Sequence, residues 1–255
     1  MCTAIVSVDP ASPAPVLLVG VRDEMTGRPW EPPGRHWPDR PRLVGGRDLQ
    51  AGGTWLAVDR GAPRAACVLN GVGPLAGGPD RLSRGGLPLL AAGEGGIGGL
   101  DPRRYDPFHL LLAEPGRVVL WSWDGAGLRE RALGPGLHIV VNNGLEGEGH
   151  REGATEDAHM MARLAWFRPR LAAAARPEPG AGPDVRAAWR PWTPLLEGDG
   201  LDRGDARALL PLLRLGDGRE WGTGSVSLVA LGSDAVLRHD FSGAPGDPAG
   251  WAPAG

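Results

Sequence analysis

Cysteine is scarce in this chain. Two residues, Cys2 and Cys67, among 255 make no disulfide framework, and no cluster has the spacing of a zinc site. Positive charge is not in excess either. With 27 basic and 30 acidic side chains the formal net charge is -3, which excludes the positive field that holds a nucleic-acid backbone. No apolar run approaches the roughly 20 residues a helix needs to cross a bilayer. The stretch Met1 to Pro10 lacks a basic leader region, and Asp9 breaks its apolar part, so it does not read as a signal peptide. The expected location is cytoplasmic. The glycine pairs Gly45-Gly46 and Gly52-Gly53 are followed by no Walker Lys-Ser/Thr and open no strand-to-helix fingerprint. The six histidines match no metal set, so neither cofactor nor metal is expected.

What is present is glycine and proline, 42 and 26 residues, alternating with convincing apolar runs in a composition that is 42% hydrophobic. That is a globular chain. It reads as one domain over 1–255, with a flexible tail from about 242. Residues 3–8 and 16–21 form a predicted hairpin whose second strand runs into Arg22-Asp23-Glu24, placing those charges near the start of the first strand. Prolines make 25–53 an ordered loop, and 54–58 with 65–70 a second hairpin. A weak helix is expected around 82–92. Strands follow at 108–113, 118–123 and 137–142 as successive members of one antiparallel sheet. Met160, Leu164, Phe167 and Leu171 mark a helix over 155–175, capped near Thr155 and kinked or divided at Pro169. A shorter helix over 206–215 and strands at 225–231 and 235–241 complete an α+β reading.

The chemistry concentrates at Cys2. Once Met1 is removed, one residue carries both a thiol, whose thiolate is the nucleophile, and an α-amine titrating near neutrality that serves as its base. Against this stands the ordinary reading of a small buried hydrophobe, which is the better account of Cys67. Asp23 is placed to hold the α-amine, and Arg22 to lower the thiol pKa or bind a carboxylate, unless both belong to a solvated turn. Asn70 and Asn142 close strands and offer amide donors for an oxyanion. Asn before Gly is equally a turn signal.

These residues resemble the NRDE family, also called the transport and Golgi organisation protein 2 family. The likeness lies in Met1-Cys2-Thr3, in Val21-Arg22-Asp23-Glu24, and above all in Gly45-Gly46-Arg47-Asp48-Leu49-Gln50-Ala51-Gly52-Gly53-Thr54-Trp55-Leu56. Fainter matches follow at Leu69-Asn70, Val141-Asn142 and Gly222-Thr223-Gly224-Ser225. The resemblance implies a four-layer αββα sandwich of the N-terminal nucleophile hydrolase type. It also implies Cys2 as nucleophile, Arg22 and Asp23 behind it, and Asn70 and Asn142 as oxyanion or amine-orienting positions. The chain departs from the family pattern at Val21, where Asn is usual, and at Gly224, where many members have Arg.

Two functions compete. One is a cysteine amidohydrolase or acyltransferase acting on a small amide or ester through Cys2. The other is a non-enzymatic protein that binds or traffics haem or another hydrophobic ligand. It would use Cys2 or His36 toward iron and need Trp30, Trp37, Trp55, Trp121 and Trp123 to line one cavity.

Overall fold

The computed structural model describes residues 2–151, 153 and 155–254. Met1, whose removal the reading of Cys2 depends on, lies outside the described residues, as does the side chain of Thr155. The chain begins with β1 (Thr3–Val8), β2 (Val16–Met25), β3 (Trp30–Gly34), β4 (Leu43–Asp48), β5 (Leu56–Asp59) and β6 (Arg64–Asn70). Helix α1 (Leu87–Glu94) precedes β7 (Phe108–Glu114), β8 (Arg117–Trp123), β9 (Leu128–Ala132), β10 (Gly136–Val141) and β11 (Gly144–Leu145). Three helices follow, α2 (Thr155–Ala173), α3 (Val185–Ala188) and α4 (Thr193–Leu196). The last strands are β12 (Leu212–Arg214), β13 (Glu220–Leu231), β14 (Val236–Ser242) and β15 (Trp251–Pro253).

The strands form two antiparallel sheets. One has the order β11-β10-β1-β2-β13-β14-β15, with β12 also on β13; the other runs β3 to β9 in chain order. Strands covered on both faces have no polar side to show, which is why residues 4–6 of β1, 16–21 of β2 and 110–113 of β7 read as apolar runs without alternation. Ala4, Val6, Val16 and Leu18 of the first sheet meet Leu56, Cys67, Leu69 and Leu111 of the second between the sheets. Ile5, Leu17, Val19 and Val21 point the other way, onto Met160, Leu164, Phe167 and Leu171 of α2. On the far side, Phe108, Leu110 and Leu112 pack under Leu87, Leu89 and Ala91 of α1. The layers are therefore helix, sheet, sheet, helix, an αββα sandwich.

Several local expectations change. Residues 25–53 are not a loop: β3 and β4 pair there, and the consecutive prolines Pro32 and Pro33 fall at a register shift on the edge strand, where a missing N–H costs no ladder bond. Helix α1 starts at Leu87 because Pro88 sits in the first turn, where its lost donor is harmless. The predicted strand at 137–142 leaves the sheet of β7 and β8 and becomes β10, paired with β1. The place it was expected to fill is taken by β9, whose sequence Leu-Arg-Glu-Arg-Ala is exposed at every residue and carries no burial signal. Helix α2 passes through Pro169 undivided. No helix forms over 206–215, because Pro211 removes a donor and its carbonyl instead accepts from Thr223 N–H at 2.9 Å, leading into β12. The stretch read as a flexible tail contains β15, paired with β14.

Candidate functional site

Strand alternation does the placing. Ala4 and Val6 face the interior between the sheets, and Cys2, two residues before Ala4, packs against that same cluster. Thr3 lies opposite Val21, so Arg22 and Asp23 come next on the neighbouring strand, and they are buried rather than solvated. The two part company there. Arg22 turns inward between the sheets, its guanidinium carbon 4.6 Å from the centre of the Trp55 ring and its Nη2 3.6 Å from Asp48 Oδ2. Asp23 turns toward the helices. Its Oδ1 accepts from the Thr223 hydroxyl at 2.6 Å and its Oδ2 from Arg163 Nη1 at 3.1 Å.

Arg163 is the residue sequence reasoning missed. It stands on α2 beneath the first sheet, 3% exposed, donating to Thr3 Oγ1 at 2.8 Å and to the Ala208 carbonyl at 2.9 Å as well as to Asp23. The signal was available: Met160, Arg163, Leu164 and Phe167 share one helical stripe, and a charge on an apolar stripe needs a buried partner.

The long Gly45 to Leu56 block builds the floor under Arg22. Asp48 closes its loop by accepting from Gln50 and Ala51 N–H at 3.0 and 2.9 Å. Its other oxygen holds Arg28 Nε at 2.6 Å. Gly46 lets the Trp55 indole lie against the strand, since a Cβ there would sit 2.3 Å from the ring. Gly53 lets the Gly85 backbone approach, and Thr54 N–H bonds the Gly85 carbonyl at 2.9 Å. That contact brings Arg84 to the same space.

A cavity of about 180 Å³ results, with Cys2, Arg22, Asp23, Trp55, Asn70 and Arg84 in its wall. Asn142 is not in that wall. It reaches the site at one remove, donating from Nδ2 to the Asn70 carbonyl at 2.9 Å and so tying the end of β6 to the residue after β10 across the two sheets. The Asn70 side-chain amide takes no hydrogen bond among the described residues and lies open to the cavity. The Cys2 thiol donates to the Asp23 carbonyl at 3.6 Å. Burial pushes its pKa up and the Asp23 carboxylate adds to this, while Arg22 pulls the other way and is outweighed. The expected lowering by Arg22 is therefore present as a contribution and absent as a net result. Burial also pushes the Cys67 thiol up, within the core.

Behind Asn142 lies a second hydrogen-bond chain. His109 Nε2 donates to the Asn142 carbonyl at 3.1 Å, since a carbonyl only accepts, which leaves Nδ1 to accept from the Ser122 hydroxyl at 2.9 Å. Burial pushes His109 down to about 4, so the ring is neutral. The five tryptophans do not share a cavity. Trp30 and Trp55 stack edge to face between the sheets, whereas Trp121, Trp123 and Trp37 pack on the α1 side. His36 bonds the Pro32 carbonyl at 2.9 Å and stands outside the Cys2 cavity.

Comparison with known proteins gives the following. A family model described as Transport and Golgi organisation 2 matches residues 1–148. No curated protein matches the sequence. Among solved structures, the C2A mutant of conjugated bile acid hydrolase from Clostridium perfringens covers 96% of this chain and 89% of its own, with 9% identity and a TM-score of 0.46. Penicillin V acylase from Agrobacterium tumefaciens covers 95% and 83%, with 14% identity and a TM-score of 0.45. The Caenorhabditis elegans N-acylethanolamine-hydrolyzing acid amidase ortholog covers 55% and 70%, with 11% identity and a TM-score of 0.37.

Proposed function

The chain belongs to the Transport and Golgi organisation 2 family, and from that premise we propose that it is an N-terminal nucleophile amidohydrolase that uses Cys2, freed by removal of Met1, on a small amide or ester. The observation carrying this reading is the meeting of Cys2, Arg22, Asp23 and Asn70 around one cavity. In the proposed cycle the α-amine takes the thiol proton and the thiolate attacks the carbonyl carbon. The oxyanion faces the open amide of Asn70. The C–N bond then breaks as the α-ammonium gives its proton to the leaving amine. Water adds to the thioester, its proton going to the α-amine, and the acid departs as the thiolate is restored and reprotonated.

Burial raises the thiol pKa, so the thiolate is made when the α-amine takes its proton and does not stand ready beforehand. Asp23, anchored by Arg163 and Thr223, is the counter-charge for the α-ammonium. Arg22, fixed on Trp55 and Asp48, faces the thiolate.

The test uses a favourable accident of composition. The chain has no lysine, so an amine-reactive reagent reports the α-amine alone. Intact mass is expected to show Met1 absent, and an activated acyl ester is expected to leave a hydroxylamine-labile thioester at Cys2, which Cys2→Ala eliminates together with turnover while its α-amine still forms the stable amide. Turnover by protein that retains Met1, or by C2A, sinks the assignment.

A further inference from the structure

The cavity beside Cys2 is lined by three arginines, Arg22, Arg28 and Arg84, and three acids, Asp23, Glu24 and Asp48, and the acids are all engaged away from Arg84. Asp23 is engaged with Arg163 and Thr223 on the helix side of its sheet. Asp48 is shared by Arg28 and Arg22, at 2.6 and 3.6 Å, and Glu24 lies 3.8 Å from Arg28. Arg84 stands outside these pairs. Its Nη1 donates to the Pro107 carbonyl at 3.0 Å, and it makes no ion pair among the described residues. Asp106, the acid whose charge reaches it most strongly, is already paired with Arg81. A guanidinium keeps its proton at any working pH and presents a planar fork suited to a carboxylate. Half-buried, in the wall of a cavity that also holds Cys2, it has the geometry to take a carboxylate there.

Size narrows the class. About 180 Å³ falls below the roughly 300–1,000 Å³ of pockets for drug-sized ligands, which suits a short chain and not a long acyl tail. Beyond Glu24 and Arg28, which line both spaces, a wider cleft of about 680 Å³ opens. It offers the leaving amine room that the inner cavity lacks.

We infer that the substrate's acyl part is short and ends in a carboxylate held by Arg84, with the amine leaving through the wider cleft. Arg84 is then the residue that sets specificity. The inference rests on the reading of Cys2 as nucleophile.

The experiment compares succinyl and butyryl p-nitroanilides, acyl groups of equal length that differ in the terminal carboxylate. The unaltered protein is expected to prefer the succinyl compound. Arg84→Gln is expected to cost about 10- to 100-fold in kcat/KM on it, chiefly through KM, and to narrow the succinyl-to-butyryl preference by about that factor. Arg84→Lys should recover part of the loss. Equal loss on both substrates, or no preference in the unaltered protein, overturns the inference. A separate arm does not depend on the nucleophile. Succinate, and not butyrate, is expected to raise the melting temperature of C2A, and to fail to do so in the C2A/R84Q double variant. A succinate shift in C2A without turnover by any form would sink the Cys2 reading and keep the anion site. No shift in C2A would remove the site itself.

Discussion

Arg163 Nη1 reaches Asp23 Oδ2 at 3.1 Å through the face of the sheet opposite Arg22, so that two consecutive residues of β2 serve two different layers. Both ends of this pair are buried, at 3% and 6% exposure. Removing one partner from such a pair typically costs about 3–5 kcal/mol, most of it the burden left on the remaining charge. Arg163→Met is therefore expected to lower stability by about that amount in urea unfolding. Adding Asp23→Asn to Arg163→Met should restore a large part, because the buried charge goes too. An R163M variant as stable as the parent would show that the pair is not held as described.

A second expectation concerns Gly46. A Cβ at this position meets the Trp55 ring at 2.3 Å, so Gly46→Ala must push the indole from beneath Arg22. Overpacking of this kind costs about 1–3 kcal/mol. Gly96→Ala is the control, since nothing lies within 4 Å of its Cβ. Thermal melts should separate the two, and thiol labelling should slow in G46A as Arg22 loses its platform.

Asn70→Ala tests the oxyanion role. Loss of one preorganised donor lowers kcat by about 10²- to 10³-fold with KM little changed. A KM effect alone would make Asn70 a substrate contact instead.

The fourth expectation is a pH dependence of stability. Folded His109 titrates at about 4 against an ordinary 6.5, because burial disfavours the imidazolium. Between those values the unfolded chain binds the proton and the folded chain does not. Its contribution is thus complete above about pH 6.5, declines as pH falls, and is gone below about 4, amounting to about 3 kcal/mol. His239, pushed by burial to about 3, extends the decline in the same sense. Unfolding curves of the parent and His109→Gln should differ in slope over pH 6.5 to 4. Parallel curves would place the proton elsewhere.

Much of this was legible in the sequence because it is local. The pairing of Thr3 with Val21 follows from a turn and two apolar runs, and it alone brings Arg22 and Asp23 beside Cys2. The glycine block announced itself by composition, and packing explains why: Gly46 and Gly53 stand where side chains do not fit. What escaped was non-local or unsigned. Strand β9 is a polar edge with no apolar alternation to detect. The passage of β10 into the other sheet is a choice of partner more than 100 residues away in sequence, which no local pattern encodes. Arg163 was visible as an oddity on an apolar helix face, but its partner lies 140 residues earlier. Asn142 belongs to the site only through the Asn70 carbonyl, a contact between two sheets.

The pairing of β1 and β2 with strands far along the chain also has a consequence in time. Strand β1 finds its outer neighbour only at Gly136–Val141, and β2 finds its own only at Glu220–Leu231. Contacts of such long sequence separation form slowly, since the loop must close before they reward it. During synthesis the segment bearing Cys2 consequently leaves the ribosome well before the sheet that will enclose it is complete. The removal of Met1 that the proposed nucleophile requires would have that interval in which to occur.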